Sequence, residues 1–150
     1  MKRFLLCTAV ALLALGATGC DEKLSSITGP TPDLAPTFSS VQSTIFSSSD
    51  PSGRLACTQC HTDQGGRVPP AGIVLLEGRA YQSLVGRPST GKPGAVLVIP
   101  GDPDNSYLVK KLEGAPDIVG LRMPRNNGPF LTEGQMLVIR RWIRDGAANN

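Results

Sequence analysis

Apolar residues recur along this chain in patterns that predict short helices. Phe38, Val41 and Ile45 lie at positions i, i+3 and i+7, with Phe46 beside them, so residues 38–47 are predicted to form an amphipathic first helix. A second apolar stripe near the carboxyl end predicts the last helix. This stripe consists of Met136, Ile139, Trp142 and Ile143.

The last helix carries its own start and stop signals. Thr132 and Gln135 have the spacing of a capping box, in which each side chain accepts a hydrogen bond from the other residue's backbone. Gly146 is expected to end the helix. The arginines on the side opposite the apolar stripe are expected to face water. They are Arg140, Arg141 and Arg144.

A third helix is predicted to begin at Asp102, because an N-cap residue followed by proline is a typical helix start. It would carry Tyr107, Leu108 and Leu112 inward and end at Gly114. Residues 115–131 are predicted to form a long loop.

Shorter elements fill the rest of the chain. Brief helices are expected at residues 54–61 and 78–85, and the apolar runs 73–76 and 96–99 could pair as a small β-hairpin. Two short strands are too few for a sheet-based domain. The predicted fold class is therefore all-α, with about four to five short helices.

The first residues predict an exported protein. A positive start and an apolar run from Phe4 to Leu15, too short to span a membrane, identify residues 1–19 as a signal peptide. Small residues precede Cys20 as in a bacterial lipobox, although Ala17 stands where leucine is usual. Cys20 is therefore predicted to carry a lipid; an ordinary cleavage site that leaves it unlipidated is the alternative.

The segment that follows predicts a tether. Residues 20–36 are rich in Ser, Thr and Pro and lack aromatic residues and an apolar period, which is typical of a flexible linker. The folded domain is then residues 37–150. With a lipid on Cys20, this domain would be anchored to a bacterial membrane and face the periplasm.

The charge balance gives no indication of a nucleic-acid partner. The chain has 15 Lys and Arg residues against 12 Asp and Glu residues. Removing the signal peptide takes away Lys2 and Arg3 and leaves 13 basic residues against the same 12 acidic ones. The mature chain is thus near neutral, whereas nucleic-acid binding requires a clustered basic face.

Two of the four cysteines form the most specific motif of the chain. Cys57 and Cys60 are three residues apart and His61 follows directly, which is the attachment pattern for c-type haem. The spacing places the thiols about one helical turn apart, so that both can bond one macrocycle while His61 ligates the iron. A zinc site would need further ligands. A dithiol redox site would be expected within a βαβ pattern.

The sixth iron ligand is predicted to be a methionine, because His61 is the single histidine of the chain. Met136 lies in the apolar stripe of the last helix, where it is expected to fill the core. Met123 lies in a loop, and Pro124 favours an extended conformation for it, from which its side chain can project. Met123 is therefore the predicted distal ligand.

The order of these segments resembles class I c-type cytochromes, above all bacterial single-haem domains with an Arg-Met-Pro segment before an Arg-Trp-Ile helix. The resemblance covers residues 38–148. The matching segments are Val41–Phe46, Cys57–His61, Val98–Pro103, Ser106–Leu108, Leu121–Pro124 and Arg141–Ala147. One departure is the loop of residues 47–55, which is longer than the family's usual turn.

The resemblance implies a cytochrome c fold, in which helices enclose one covalently attached haem and the first and last helices cross. Phe46 is expected to pack against Ile139 or Trp142 at that crossing. The carbonyl of Pro69 or Pro70 is expected to accept a hydrogen bond from His61, which would set the tautomer of the ring. Further candidates for the haem pocket are Pro69, Pro70, Tyr107 and Trp142.

The functional expectation is a membrane-tethered electron carrier, not an enzyme, that exchanges electrons with partner oxidoreductases. Ligation by His61 and Met123 would leave the iron no open position. The alternative is a haem-based sensor or a small peroxidase-like enzyme in which a ligand displaces Met123. Lys110, Lys111, Arg122 and Arg125 could form a positive rim for partners or serve only as solvated charges.

Overall fold

Four helices joined by long loops make up the part of the chain that the structure, a computed structural model, describes: residues 34–125 and 128–150. The structure is mostly helical with few residues in β-bridges, as the predicted all-α class requires. Helix α1 starts as an α-helix, Phe38–Ser40, and continues as a π-helix, Val41–Phe46. The other helices are α2, Ala80–Leu84; α3, Tyr107–Glu113; and α4, Glu133–Arg144. Single 3₁₀ turns cover Cys57–Gln59, Gln64–Gly66 and Pro70–Gly72.

Most of the predictions for the amino-terminal region concern residues before the described part of the chain. The signal peptide, residues 1–19, Cys20 and most of the 20–36 tether lie outside the described part of the chain. Within the described ranges, no helix is long and apolar enough to cross a membrane.

Helix α1 forms where the hydrophobic pattern predicts it. Thr37 caps its amino end by accepting a hydrogen bond from the Ser40 amide at 3.2 Å. The apolar side chains of the predicted face are buried, because they lie on the side that packs against the rest of the domain. They are Phe38, Val41, Ile45 and Phe46.

Helix α4 confirms the capping box and the apolar stripe. The Gln135 amide donates to the Thr132 hydroxyl at 3.2 Å, and the Thr132 amide donates to the Gln135 side chain at 3.0 Å. All four stripe residues are buried. Of the arginines predicted to face water, Arg140 instead forms ion pairs with Glu113 of α3 and with Asp104.

The first and last helices pack together, and aromatic residues make the contact. The rings of Phe38 and Trp142 lie 5.3 Å apart between centroids, and Tyr81 meets Phe38 edge-on at 5.2 Å. Phe46, predicted for this contact, is buried in the same core. Phe38, at the other end of α1, is the residue whose ring contacts Trp142.

The carboxyl-terminal residues close over the start of α1. The side chain of Asn150 accepts a hydrogen bond from the Phe38 amide at 3.0 Å, and its backbone carbonyl accepts one from the Ser39 amide at 2.8 Å. These bonds satisfy two amides that a helix leaves free at its amino end. Tyr81 donates its hydroxyl to the Ala147 carbonyl at 3.0 Å, which fixes the same tail.

Helix α3 begins later than the sequence predicts. It starts at Tyr107, since the Asp102 carboxylate accepts hydrogen bonds from the Asn105 amide and side chain and so closes a turn there. The Ser106 hydroxyl then donates to the Asp102 carbonyl at 2.7 Å. The predicted end at Gly114 is confirmed, with the left-handed φ of 76° that glycine adopts easily.

The small β-hairpin does not form in the described ranges. Residues 73–76 are irregular, and residues 96–99 take part only in isolated bridges, in which Val98 pairs with Val85 and Val96 with Pro88. The two runs are therefore not partners. The helix predicted at 78–85 is observed as α2, whereas the one predicted at 54–61 shrinks to the single turn Cys57–Gln59.

A network of charges at the surface joins two loops to helix α3. The Asp117 carboxylate lies 2.8 Å from the Lys92 ammonium and 3.0 Å from that of Lys110. These two hydrogen-bonded cations lower the pKa of Asp117 to about 2. The network fixes residues 115–121 against α3.

Candidate functional site

The two predicted haem-linking cysteines lie at the ends of one helical turn. Backbone hydrogen bonds from the Cys60 and His61 amides to the Cys57 carbonyl, at 3.2 and 2.9 Å, close this turn. Side chains three residues apart lie on the same side of a 3₁₀ turn. Cys57 and Cys60 therefore lie one turn apart, with His61 directly after them.

The two thiols differ in their surroundings. Cys60 is exposed, whereas Cys57 is half-buried and packs against the core. The Cys57 sulfur lies 3.6 Å from the Ile45 carbonyl, at the end of α1. Burial raises the pKa of the Cys57 thiol, and the positive charge of Arg54 acts in the opposite direction.

His61 is held by the carbonyl of Ile73. Its Nδ1 lies 3.2 Å from this oxygen, which can only accept, so Nδ1 carries the proton and donates. The lone pair of Nε2 is then free to bind a metal. Burial lowers the pKa of His61, while the hydrogen bond to Ile73 opposes that shift.

The prediction that Pro69 or Pro70 would hold His61 is wrong. Their carbonyls already accept the hydrogen bonds that close the turn Pro70–Gly72, from the Gly72 amide at 3.0 Å and the Ile73 amide at 3.1 Å. The chain leaves this turn at Ile73, whose carbonyl is the one that faces the imidazole. The prolines therefore shape the turn that places the acceptor.

A second backbone bond ties His61 to the same segment. The Leu75 amide donates to the His61 carbonyl at 2.9 Å. Gln42 of α1, in turn, donates its side-chain amide to the Leu75 carbonyl at 2.9 Å. The backbone of His61 is thus connected to the first helix by two hydrogen bonds through Leu75.

Met123 lies in the loop after α3 and is half-buried, with its side chain packed against the core. Its amide donates to the Lys111 carbonyl at 2.9 Å, and the neighbouring Arg122 donates Nε to the Leu112 carbonyl at 2.7 Å. Both bonds hold the loop against the end of α3. A Cβ atom at Gly114 would lie 2.9 Å from the Arg122 side chain, so this approach needs glycine.

The second methionine has the surroundings of a core residue. Met136 is buried on α4, and its side chain lines an open depression of about 310 Å³ together with Leu131 and Leu137. Met123, by contrast, borders the core cluster that Cys57 and Ile73 also border. Met136 belongs to that same cluster, so the choice of Met123 as distal ligand stays a prediction.

Tyr107 and Trp142, the other predicted pocket residues, are both buried with their polar atoms already engaged. The Tyr107 hydroxyl accepts a hydrogen bond from the Val119 amide at 2.9 Å, and the Trp142 indole donates to the Ala148 carbonyl at 2.8 Å. Trp142 can therefore offer only an apolar face to a cofactor, whereas the Tyr107 hydroxyl still has a proton that it can donate. The ring of Trp142 packs against Phe38 in the contact between α1 and α4.

The sequence patterns do not predict two buried polar side chains near the cysteine motif. Gln42 is 6% exposed and Arg54 is 1% exposed. Gln42 could have been found, because it lies four residues after Phe38 and so shares the apolar face of α1. For Arg54 the one signal is Asp50 four residues earlier, in a loop where helical spacing carries no meaning.

The donor set fits a covalently attached haem. It comprises two free thiols one turn apart, an imidazole whose Nε2 is unprotonated, and a thioether at the border of the same core. Among the described residues, no three His, Cys, Asp or Glu side chains lie close enough to hold a metal ion. A zinc site here would need ligands from elsewhere.

Three comparisons with known proteins found no match: no family model, no curated protein and no solved structure is significantly similar to this chain.

Proposed function

We propose that this protein is a single-haem c-type cytochrome that carries electrons between partner oxidoreductases. The observation that carries the proposal is the His61 imidazole, held by Ile73 on the turn that presents Cys57 and Cys60. A neutral imidazole with a fixed Nδ1–H donor is the form that ligates haem iron. The finer fold would then be that of cytochrome c.

The chain's own residues have distinct roles in this proposal. Cys57 and Cys60 would bond the cofactor covalently, and His61 and Met123 would ligate its iron. When bound, haem supplies one-electron chemistry, and its thioether ligand favours a high potential. Tyr107 and Trp142 contribute apolar surface to the domain core.

The ligands are held on relatively rigid supports, which suits an electron carrier. Ile73 and Leu75 fix the ring and backbone of His61, and the bonds from residues 122 and 123 to α3 fix the distal loop. A carrier gains from such support because neither ligand has to move when the charge changes. We further propose export and a lipid on Cys20, which would keep the domain at a bacterial membrane facing the periplasm.

The test uses the full chain, produced in cells that attach haem c. We expect a membrane-bound red protein whose colour survives acid-acetone extraction and whose oxidised form shows the long-wavelength charge-transfer band of methionine–iron ligation. Met123→Ala should lose this band, and its potential should fall by on the order of 0.1 V, a fraction of the roughly 0.8 V that axial ligands span. Met136→Leu is the matched control and should keep both.

Other outcomes would contradict the proposal. A wild-type protein without covalent haem would leave a zinc or dithiol site as the better interpretation of the cysteine motif. A high-spin oxidised protein that binds carbon monoxide rapidly when reduced would favour the sensor or peroxidase-like enzyme. An unlipidated protein found only in the soluble fraction would exclude the anchor at Cys20.

A further inference from the structure

Arg54 is buried within a loop that is otherwise open to water. Residues 51–53, directly before it, are exposed, yet only 1% of Arg54 is accessible to solvent. A buried guanidinium is costly unless charge and hydrogen bonds compensate it. The loop of residues 47–55 must therefore be built around this side chain.

The guanidinium is compensated on every nitrogen. Its Nε donates to the Asp50 carboxylate at 2.9 Å. Nη1 donates to the carbonyls of Ile45 at 3.1 Å and Leu55 at 3.2 Å, and Nη2 donates to the carbonyl of Ser48 at 3.2 Å. The planar, fixed fork of arginine suits such a set of acceptors, which a lysine ammonium cannot reproduce.

Asp50 organises the loop from the other side of this pair. Its Oδ1 accepts the Ser52 amide at 3.0 Å and the Arg54 amide at 3.3 Å, while Oδ2 faces the guanidinium. Burial raises the pKa of Asp50, but hydrogen bonds from the Ser52 hydroxyl and from the Arg54 side chain and amide outweigh it and hold this pKa below its ordinary value. The pair thus fixes both the course of the loop and its connection to the end of α1.

The same guanidinium reaches the first cysteine of the motif. Arg54 Nη1 lies 4.0 Å from the Cys57 sulfur, and both groups contact one acceptor, the carbonyl of Ile45. Cys57 therefore contacts both the end of α1 and the Arg54 side chain. Cys60 is exposed at the opposite end of the turn, and no hydrogen bond joins it to Arg54 in the described structure.

We propose that Arg54 is a positioning residue for the Cys57 thiol, and that it is needed for the thioether at Cys57 but not for the one at Cys60. This inference rests on the proposed function. In the step concerned, the Cys57 S–H bond breaks, sulfur bonds the inner carbon of a vinyl group, and the hydrogen goes to the outer carbon. The addition needs no oxidant, so the geometry of the thiol is what the protein contributes.

The test compares Arg54→Met with wild type in the full chain, again with haem attached in cells. The readout is the α band of the pyridine haemochrome, which moves to longer wavelength when one thioether is lost. Mass spectrometry of haem peptides then assigns the surviving bond. We expect the ratio of two-thioether to one-thioether protein to fall about tenfold, the factor for losing a charge-assisted hydrogen bond. The remaining bond should be at Cys60.

Two matched variants separate positioning from general destabilisation. Arg140→Met removes another paired arginine, remote in sequence from the cysteines, and should keep both thioethers even if the protein unfolds more easily. In a Cys57→Ala background, Arg54→Met should cause no further change in the haemochrome band. A further change there would show that Arg54 does not act through Cys57.

The outcomes distinguish this inference from the proposed function. Both thioethers at the wild-type ratio in Arg54→Met would overturn the inference alone, and absence of covalent haem from wild type would overturn both. If Arg54→Met does not accumulate, Arg54→Lys decides, because it keeps the charge and loses the fork. We expect partial loss of the Cys57 thioether in that variant, and a wild-type ratio would overturn the inference.

Discussion

Gln42 connects α1 to residues 73–75, the segment that holds His61. Its side-chain amide donates to the Leu75 carbonyl and to the Ser47 hydroxyl, each at 2.9 Å. Its Oε1 is buried and accepts no hydrogen bond from the described residues. A polar side chain is needed here because the Leu75 carbonyl is buried and requires a hydrogen-bond donor.

Replacing Gln42 is expected to destabilise the fold. Gln42→Leu leaves the Leu75 carbonyl without its donor and should lower the free energy of unfolding by about 1–3 kcal/mol. Gln42→Glu should cost more, because an ionised carboxylate cannot donate and would itself be buried. Urea unfolding of the three proteins measures both effects. Gln82→Leu, on the exposed side of α2, is the control; equal losses at both positions would disprove the special role of Gln42.

The residue scale also shows what a sequence can and cannot predict about the site. Cys57, Cys60 and His61 can be picked out from the sequence because the proposed covalent attachment of haem would require this spacing. The acceptor for His61 cannot be picked out in this way, since the choice between Ile73 and a proline depends on which carbonyl the folded loop turns towards the imidazole. The burial of Arg54 is likewise not predictable, because apart from Asp50 its oxygen acceptors are backbone carbonyls that only the folded loop brings together.

At the scale of elements, the long amphipathic patterns predict well and the short ones poorly. Helices α1 and α4 carry both an apolar face and an N-cap, so local and tertiary preferences agree. The predicted start of α3 is wrong because the Asp102 side chain can either cap a helix or close a turn with Asn105. The sequence pattern is the same in both cases. The apolar runs 73–76 and 96–99 bury their side chains without pairing with each other.

Asp117 connects elements through charge and gives a pH dependence with a definite sign. Its pKa is about 2 in the folded protein, against an ordinary value of 3.8, because Lys92 and Lys110 hold its charged form. A lowered pKa stabilises the fold above the unfolded value, and this contribution disappears as the pH falls from about 4 through about 2. Asp117→Asn should therefore be less stable than wild type at neutral pH, and the difference should vanish only below about pH 2.

Thermal unfolding at a series of pH values checks this prediction. Asp145→Asn is the control, since Asp145 is exposed and forms no ion pair within the described ranges. Its stability should follow that of wild type at every pH. A constant difference between Asp117→Asn and wild type down to pH 2 would contradict the assignment, and added salt should reduce the difference at neutral pH.

At the scale of the whole molecule, the core joins the two ends of the domain. Helices α1 and α4 meet through Phe38 and Trp142, and Cys57 of the cysteine turn contacts the Ile45 carbonyl at the end of α1. The site is therefore supported by a contact between residues far apart in the chain. The apolar patterns at both ends predict this arrangement, whereas the loops between them owe their courses to individual buried polar groups.

The closure of Asn150 over the start of α1 has a consequence for how fast the chain folds. The bond from the Phe38 amide to the Asn150 side chain spans 112 residues, so the chain must close nearly its whole described length to form it. A circular permutant that joins Asn150 to Thr37 through a linker of about 10 residues, with new ends near Gly94, would make this contact local. The entropic cost of closure would fall by about 2 kcal/mol.

We expect the permutant to refold faster than the original chain while unfolding at a similar rate, because sequence separation slows the formation of contacts rather than their loss. Stopped-flow fluorescence of Trp142, the single tryptophan, measures both rates. Equal refolding rates would show that the two ends meet only after the slowest step. A faster permutant would place the meeting of α1 and α4, and with it the support of the cysteine–histidine turn, within the step that limits folding.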